Sequence, residues 1–123
     1  MKIIEAINRV NLLKPNTYSQ SEKVRWLSAL DGIVKTEIID KHEGGEDITF
    51  VEYDDTTPTT TDLLVPAPYD DIYLFWLEAK IDYWNGEYGK YNNSISMYNT
   101  AIANYEKHYN STHLPKGNHQ FHF

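Results

Sequence analysis

From Ile72 to Trp84 the chain reads Ile-Tyr-Leu-Phe-Trp-Leu-Glu-Ala-Lys-Ile-Asp-Tyr-Trp, so a helix formed here carries apolar groups nearly all the way round. Such a helix is central: it must be covered on two sides, and the rest of the chain has to supply the cover. It is expected to begin near Tyr69 or Asp70, after the stiff lead-in Pro66-Ala67-Pro68. Asp70 and Asp71 then lie in its first turn, where negative charge suits the helix dipole. Asn85-Gly86 stops or bends it.

The next segment supplies one side of the cover. From about 87 to about 109, Tyr91, Ile95, Tyr98, Ile102, Tyr105 and Tyr109 recur at alternating spacings of four and three, a sustained a/d seam. Asn93, Ser96, Asn99, Thr100 and Asn104 occupy the other face. A short connection between two such helices favours an antiparallel hairpin. Ten of the 123 residues are tyrosine, and most follow residue 68. A tyrosine buries a large ring and keeps a polar tip, so the seam can close the monomer's core or present some rings to neighbouring subunits.

Two earlier helices supply the other side. Over 2–13, Ile3, Ile4, Ile7, Val10 and Leu13 fall at helical spacing, Leu12 extends the apolar side, and Pro15 blocks continuation. Over 19–41, Val24, Leu27, Leu30, Val34 and Ile38 form a stripe widened by Trp26 and Ile33. Ser19 and Glu22 have the form of a capping box. Gly32 weakens this helix by about 1 kcal/mol relative to alanine, and a close backbone approach would account for it. Gly44-Gly45 ends the run. Residues 43–68 differ in kind. Ile48–Tyr53 and Leu63-Leu64-Val65 are β-prone and flank the acidic, turn-rich tract Asp54–Asp62. The simplest expectation is a β-hairpin or extended arm over 46–65, either meeting a partner or serving as a plain disordered connection; in the first case deleting 54–62 leaves the monomer folded and impairs assembly. Residues 114–123 lack periodicity and are expected to form a flexible tail. The predicted fold is mainly α: one domain over 1–123, a small bundle of about four helices with a central helical hairpin and a long loop or β-hairpin arm between the second and third.

Composition narrows function mainly by exclusion. Eleven basic residues against eighteen acidic ones, net −7, argue against wrapping a phosphate backbone. The absence of cysteine excludes disulfides, thiolate zinc sites and cysteine nucleophiles. No apolar run approaches the length of a membrane span, and the first residues are too polar for a secretory signal, so a soluble protein made inside the cell is expected. His108 and His113 are five apart, a spacing that does not share a helix face. Asp54-Asp55 and Asp70-Asp71 are better explained by a solvated loop and a helix start than as acid/base pairs. The serines lack a glycine-flanked elbow, and no glycine-rich phosphate loop occurs. An enzyme is therefore not expected, nor any metal or cofactor.

Several runs carry a resemblance. Leu13-Lys14-Pro15-Asn16 leads into Lys23-Val24-Arg25-Trp26-Leu27-Ser28; Leu64-Val65-Pro66-Ala67-Pro68-Tyr69-Asp70-Asp71, Glu78-Ala79-Lys80-Ile81-Asp82-Tyr83 and Tyr91-Asn92-Asn93-Ser94 follow. Together, over most of residues 2–113, they resemble the head–tail connector, or adaptor, proteins of tailed bacteriophages and prophages of Gram-positive bacteria. The resemblance carries no catalytic motif. It implies a helical virion subunit, made in the host bacterial cytoplasm and located in the neck of the particle. Roughly a dozen copies would form a closed homo-oligomeric ring. The implied partners are the portal protein, the downstream neck or tail proteins, and genomic DNA that passes without specific binding; no membrane is involved. Candidate interface residues are Phe50, Tyr53, Asp54, Asp55, Asp62 and Tyr109, with Phe121 and Phe123 in the tail. Two alternatives stand beside this: another phage neck or tail-completion protein, and a small acidic regulatory or binding protein.

Overall fold

A computed structural model describes residues 1–117. The fold is mainly helical, a bundle of α1 (Ile3–Leu13), α2 (Gln20–Glu37), α3 (Ile72–Trp84) and α4 (Tyr88–Thr112). Two 3-10 turns, Ile39–Lys41 and Gly45–Asp47, follow α2. Helices α3 and α4 form the expected hairpin and make the most extensive helix–helix contact, while α1 and α2 pack on α3 and on each other. Tyr73, Leu77 and Ile81 of α3 are fully buried, as the all-round apolar sequence requires.

The helix ends follow from local chemistry. The Ser19 hydroxyl accepts from the Glu22 N–H at 3.1 Å, one half of the expected capping box. Helix α3 stops at Gly86, whose φ of 74° lies in the left-handed region. The N–H of Gly86 donates to Tyr83 O at 3.0 Å and that of Glu87 to Asp82 O at 2.9 Å, a Schellman closure. The α2 stripe continues past the α-helix into the first 3-10 turn, where Ile38 and Ile39 remain buried. Lys35 then ties the chain down by donating to the Gly45 carbonyl at 2.7 Å and pairing with Asp40. A Cβ on Gly45 would stand 2.4 Å from the Ile39 carbonyl oxygen, so this turn closes only on glycine.

The connection between α2 and α3 departs from expectation. No β-hairpin forms; the only β-type pairings among the described residues are isolated bridges, Lys2 with Asp62 and His42 with Pro115. Nor does the segment project as an arm. Tyr53, Leu63 and Val65 are buried in the common core. The carbonyls of Thr61 and Thr59 accept from the N–H groups of Ile3 and Ile4 at 3.0 and 2.9 Å, and the Leu63 N–H donates to Met1 O at 2.9 Å. These loop carbonyls satisfy donors at the start of α1 that its sequence cannot cap, because Lys2 stands at the capping position. The tract 54–62 is thus part of how α1 is held, and its deletion would strip those partners. The buried side chains of the connection pack as single anchors between stretches of irregular backbone. The start of the expected tail is likewise held: the Glu43 N–H donates to Leu114 O at 2.8 Å and the Lys116 N–H to Lys41 O at 3.0 Å. The rest of that tail, 118–123, lies outside the described residues.

One buried carboxylate joins three parts of the chain. Asp31, on the apolar face of α2, has no solvent exposure. Its Oδ1 accepts from the Tyr73 hydroxyl of α3 at 2.6 Å. Its Oδ2 accepts from the Tyr53 hydroxyl at 2.6 Å and the Leu64 N–H at 3.0 Å, both in the long loop. The Tyr73 oxygen in turn accepts from the Val65 N–H at 2.7 Å. Burial pushes the Asp31 carboxyl up from the ordinary carboxylate range, while the bonds from Tyr53, Tyr73 and Leu64 pull it back.

Tyr73→Phe removes a donor to Asp31 and also strands the Val65 N–H, so it is expected to cost about 2–3 kcal/mol; Tyr53→Phe loses one bond and is expected to cost about 1–2 kcal/mol. Urea denaturation of the two variants checks the order. Gly32 carries a separate expectation. No backbone approaches it, and a Cβ there meets only Phe50 Cε2 at 3.9 Å, an ordinary contact. Gly32→Ala is therefore expected to stabilise the protein by about 0.5–1 kcal/mol in the same assay, through helix propensity alone.

Candidate functional site

The central helix is covered along most of its length but not at its end. The α3–α4 turn brings Tyr83, Trp84 and Tyr88 together at the hairpin tip, where they are 46%, 59% and 62% exposed. The Tyr83 ring stands at the centre of the group, edge-on to Trp84 at 5.3 Å, Tyr88 at 6.2 Å and Tyr91 at 5.5 Å. The first turn of α4 offers Gly89, which has no side chain to lay over these rings. Along the hairpin the rings continue into a slot of about 320 Å³ bounded by Trp76, Ala79, Lys80, Tyr83, Tyr91 and Ile95. The Lys80 ammonium lies 4.6 Å from the Trp76 ring centre, a cation–π contact at the slot's edge. The end of α1 comes to the same region: Lys14 bonds Asp82, and the Tyr18 hydroxyl donates to Asn85 Oδ1 at 2.8 Å. Leu12 and Leu13, just before Lys14, are exposed. The tip is a concentration of uncovered aromatic and aliphatic surface, the kind of patch that marks association.

The buried polar groups, by contrast, are engaged with one another. Asp82 accepts from Lys14 Nζ at 2.7 Å on both oxygens and from the Ser94 hydroxyl at 2.8 Å, which ties the end of α1 to both hairpin helices. Burial raises the nearby Glu78 carboxyl above its ordinary range, and Lys14 works against that rise. An open depression of about 420 Å³ lies over this group, between Lys14, Glu78, Lys90 and Ser94. The Ser94 proton points at a carboxylate already paired with an ammonium, so nothing there activates the hydroxyl as a nucleophile. His42 sits between Ile38 O at 2.6 Å and Asn110 Oδ1 at 2.7 Å, its ring edge-on to Tyr109 at 4.8 Å. Among the described residues no three His, Cys, Asp or Glu side chains gather as metal ligands would, and no helix is long and apolar enough to cross a membrane.

The expected interface residues are dispersed. Tyr53 and Tyr109 are core residues: the Tyr53 hydroxyl is taken up by Asp31, and the Tyr109 ring stacks on His113 at 3.8 Å. Phe50 is half-buried, its ring edge-on to Tyr53 at 5.3 Å. Asp54, Asp55 and Asp62 are exposed, each with a partner inside the chain. Asp54 accepts from the Thr56 hydroxyl and N–H, which hold its carboxyl below the ordinary range. Asp55 accepts from Ser21 at 2.7 Å, and Asp62 faces Lys2 at 3.2 Å. Phe121 and Phe123 lie outside the described residues. The tip residues Tyr83, Trp84 and Tyr88 were not singled out as an interface from sequence. The signal was present: rings on both sides of Asn85-Gly86, more than one helix end can cover.

Comparison with protein-family models, curated proteins and solved structures finds no match.

The seam tyrosines give this interior a pH limit. Burial pushes the Tyr105 hydroxyl up to about 12, and Tyr53, Tyr73, Tyr98 and Tyr109 are also raised, each chiefly by burial. The unfolded chain ionises near 10, the ordinary tyrosine value. The native state therefore holds more protons above that pH, and stability is lost as pH rises from about 10 toward 12. A spectrophotometric titration is expected to show these five hydroxyls ionising only together with loss of helical circular dichroism.

Proposed function

We propose that the chain is an assembly subunit, a head–tail connector of a tailed bacteriophage whose copies pack side by side in a ring between portal and tail. The observation that carries the assembly part is the uncovered aromatic tip of the α3–α4 hairpin. The connector assignment is supported by the sequence resemblance described above.

A closed ring needs two different patches that fit each other. Charge suggests which two. Residues 46–62 hold six carboxylates, Glu46, Asp47, Glu52, Asp54, Asp55 and Asp62, and no basic residue. The tip region carries Lys80 beside its aromatic rings, and Lys90, which pairs with Glu87 at 2.7 Å. One copy's tip set against the acidic loop of the next would bury the rings and bring unlike charges together. The interior polar groups fit a subunit of this kind, since Asp31, Asp82 and His42 are consumed in holding the bundle.

Peptide quantification by mass spectrometry on particles of the encoding phage or prophage tests the assignment: roughly a dozen copies per particle are expected for one closed ring. Absence from finished particles would remove the connector assignment. For the interface, Trp84→Glu is expected to leave the monomer's circular dichroism native and to abolish the ring in native mass spectrometry; an unchanged ring mass would exclude the tip as its contact.

A further inference from the structure

We propose that the slot between α3 and α4 binds a small aromatic carboxylate. At about 320 Å³ it has the volume of a small ligand site, enough for a single or fused ring with a short acid arm. The α2 groove, between α2 and the 50–53 segment and walled by Ile33, Phe50 and Tyr53, is larger at about 660 Å³ but more open to solvent. It carries charges of both signs, Arg25 with Glu37 and Glu52, and selects no one kind of ligand. The slot does select.

Three features of the slot point to this ligand. The first is its walls, which are held by contacts of their own. The Trp76 indole N–H donates to Trp26 O at 2.8 Å, and the Trp76 ring packs against Tyr98 at 4.9 Å. Tyr91 stands edge-on to Tyr83 at 5.5 Å. Flat walls of this kind favour a flat guest, which they meet face-on or edge-on. The second is the floor. Ala79 is 1% exposed, and its methyl leaves open the space that a larger side chain there would fill. The third is charge. The slot is bounded by one cation, Lys80, and by no carboxylate. Lys2, Lys14, Lys35, Lys41, Lys90 and Lys116 each pair with a carboxylate of the chain. Lys80 forms no ion pair among the described residues and lies over the Trp76 ring instead. An ammonium held over a ring keeps its N–H donors for an oxygen acceptor. In a chain with eighteen acidic residues against eleven basic, an unpaired cation at the edge of an aromatic slot is a place for an anion brought from outside. A ring seated between Trp76, Tyr83 and Tyr91 with its acid arm on Lys80 satisfies both the apolar walls and the charge.

Titration of full-length, isotopically labelled protein with 3-phenylpropionate, followed by nuclear magnetic resonance, tests the site. Saturable shifts are expected at the Trp76 indole N–H and at the backbone N–H groups of Ala79, Lys80 and Ile95. The neutral analogue 3-phenylpropanamide, of nearly equal size, is expected to bind about tenfold more weakly. Lys80→Gln is expected to weaken the acid about tenfold and to leave the affinity of the neutral analogue unchanged. Lys80→Arg retains a cation and is expected to keep the preference for the acid. Lys80 is half-buried and pairs with no other charged group of the described chain, so both variants are expected to keep a native spectrum away from the slot. Any of three outcomes overturns the proposal: no saturable shift at the slot, equal affinity for the acid and its neutral analogue, or an acid affinity unchanged in Lys80→Gln. None of these readouts depends on ring formation, so the connector assignment can fail while this one stands.

Discussion

The Asp31 carboxylate is the point on which the rest of the fold depends. It lies on the buried face of α2, and its three donors come from the central helix and from two places in the long loop. A desolvated carboxylate is costly unless its lone pairs are filled, and here the chain fills them with two hydroxyls and a backbone N–H. That requirement does the work a strand pairing would otherwise do. Residues 53 and 64 have no ladder between them, yet both are fixed because each must reach the same carboxylate. Breaking one arm leaves the others around a buried group with fewer partners, so the network acts as a unit.

What the sequence made legible was periodic. The four helices, the central hairpin and most of the buried sides of α1, α2 and α4 follow from spacing, because burial of one helical face dictates it, but Leu12, Leu13 and Ile33, which spacing also assigned to those sides, are exposed. Turn chemistry at Asn85-Gly86 was legible for a similar reason: one residue had to take a left-handed conformation. The loop was not. Ile48–Tyr53 has β-prone residues, but whether they pair depends on a partner strand, and here Tyr53 is drawn instead to an aspartate 22 positions earlier. Asp31 did carry a signal, since it falls four residues after Leu27 within the apolar stripe of α2. An acidic residue there asks for donors, but spacing alone cannot say which ones answer. The same holds for the interface. Richness in tyrosine announced both a core and a surface; only the folded geometry assigned Tyr98, Tyr105 and Tyr109 to the first and Tyr83 and Tyr88 to the second.

Interior and exterior therefore differ in completeness. Among the described residues, every buried side-chain nitrogen and oxygen has a hydrogen-bond partner. Outside, the hairpin tip and the α2 groove leave aromatic and aliphatic groups in water. A small chain with a fully satisfied interior and an unfinished surface is suited to holding a fixed shape while its contacts are completed by other protein.

The seating of α1 has a mechanical side. Its first N–H groups bond to the Thr59 and Thr61 carbonyls and its far end bonds through Lys14 to Asp82. The helix is thus clamped at both ends, to the acidic loop at one and to the hairpin at the other. A pull on the loop would load backbone hydrogen bonds at the start of α1 and pass along the helix axis to the base of the hairpin tip. Tension at one surface of the subunit would arrive at the other through a short rigid strut.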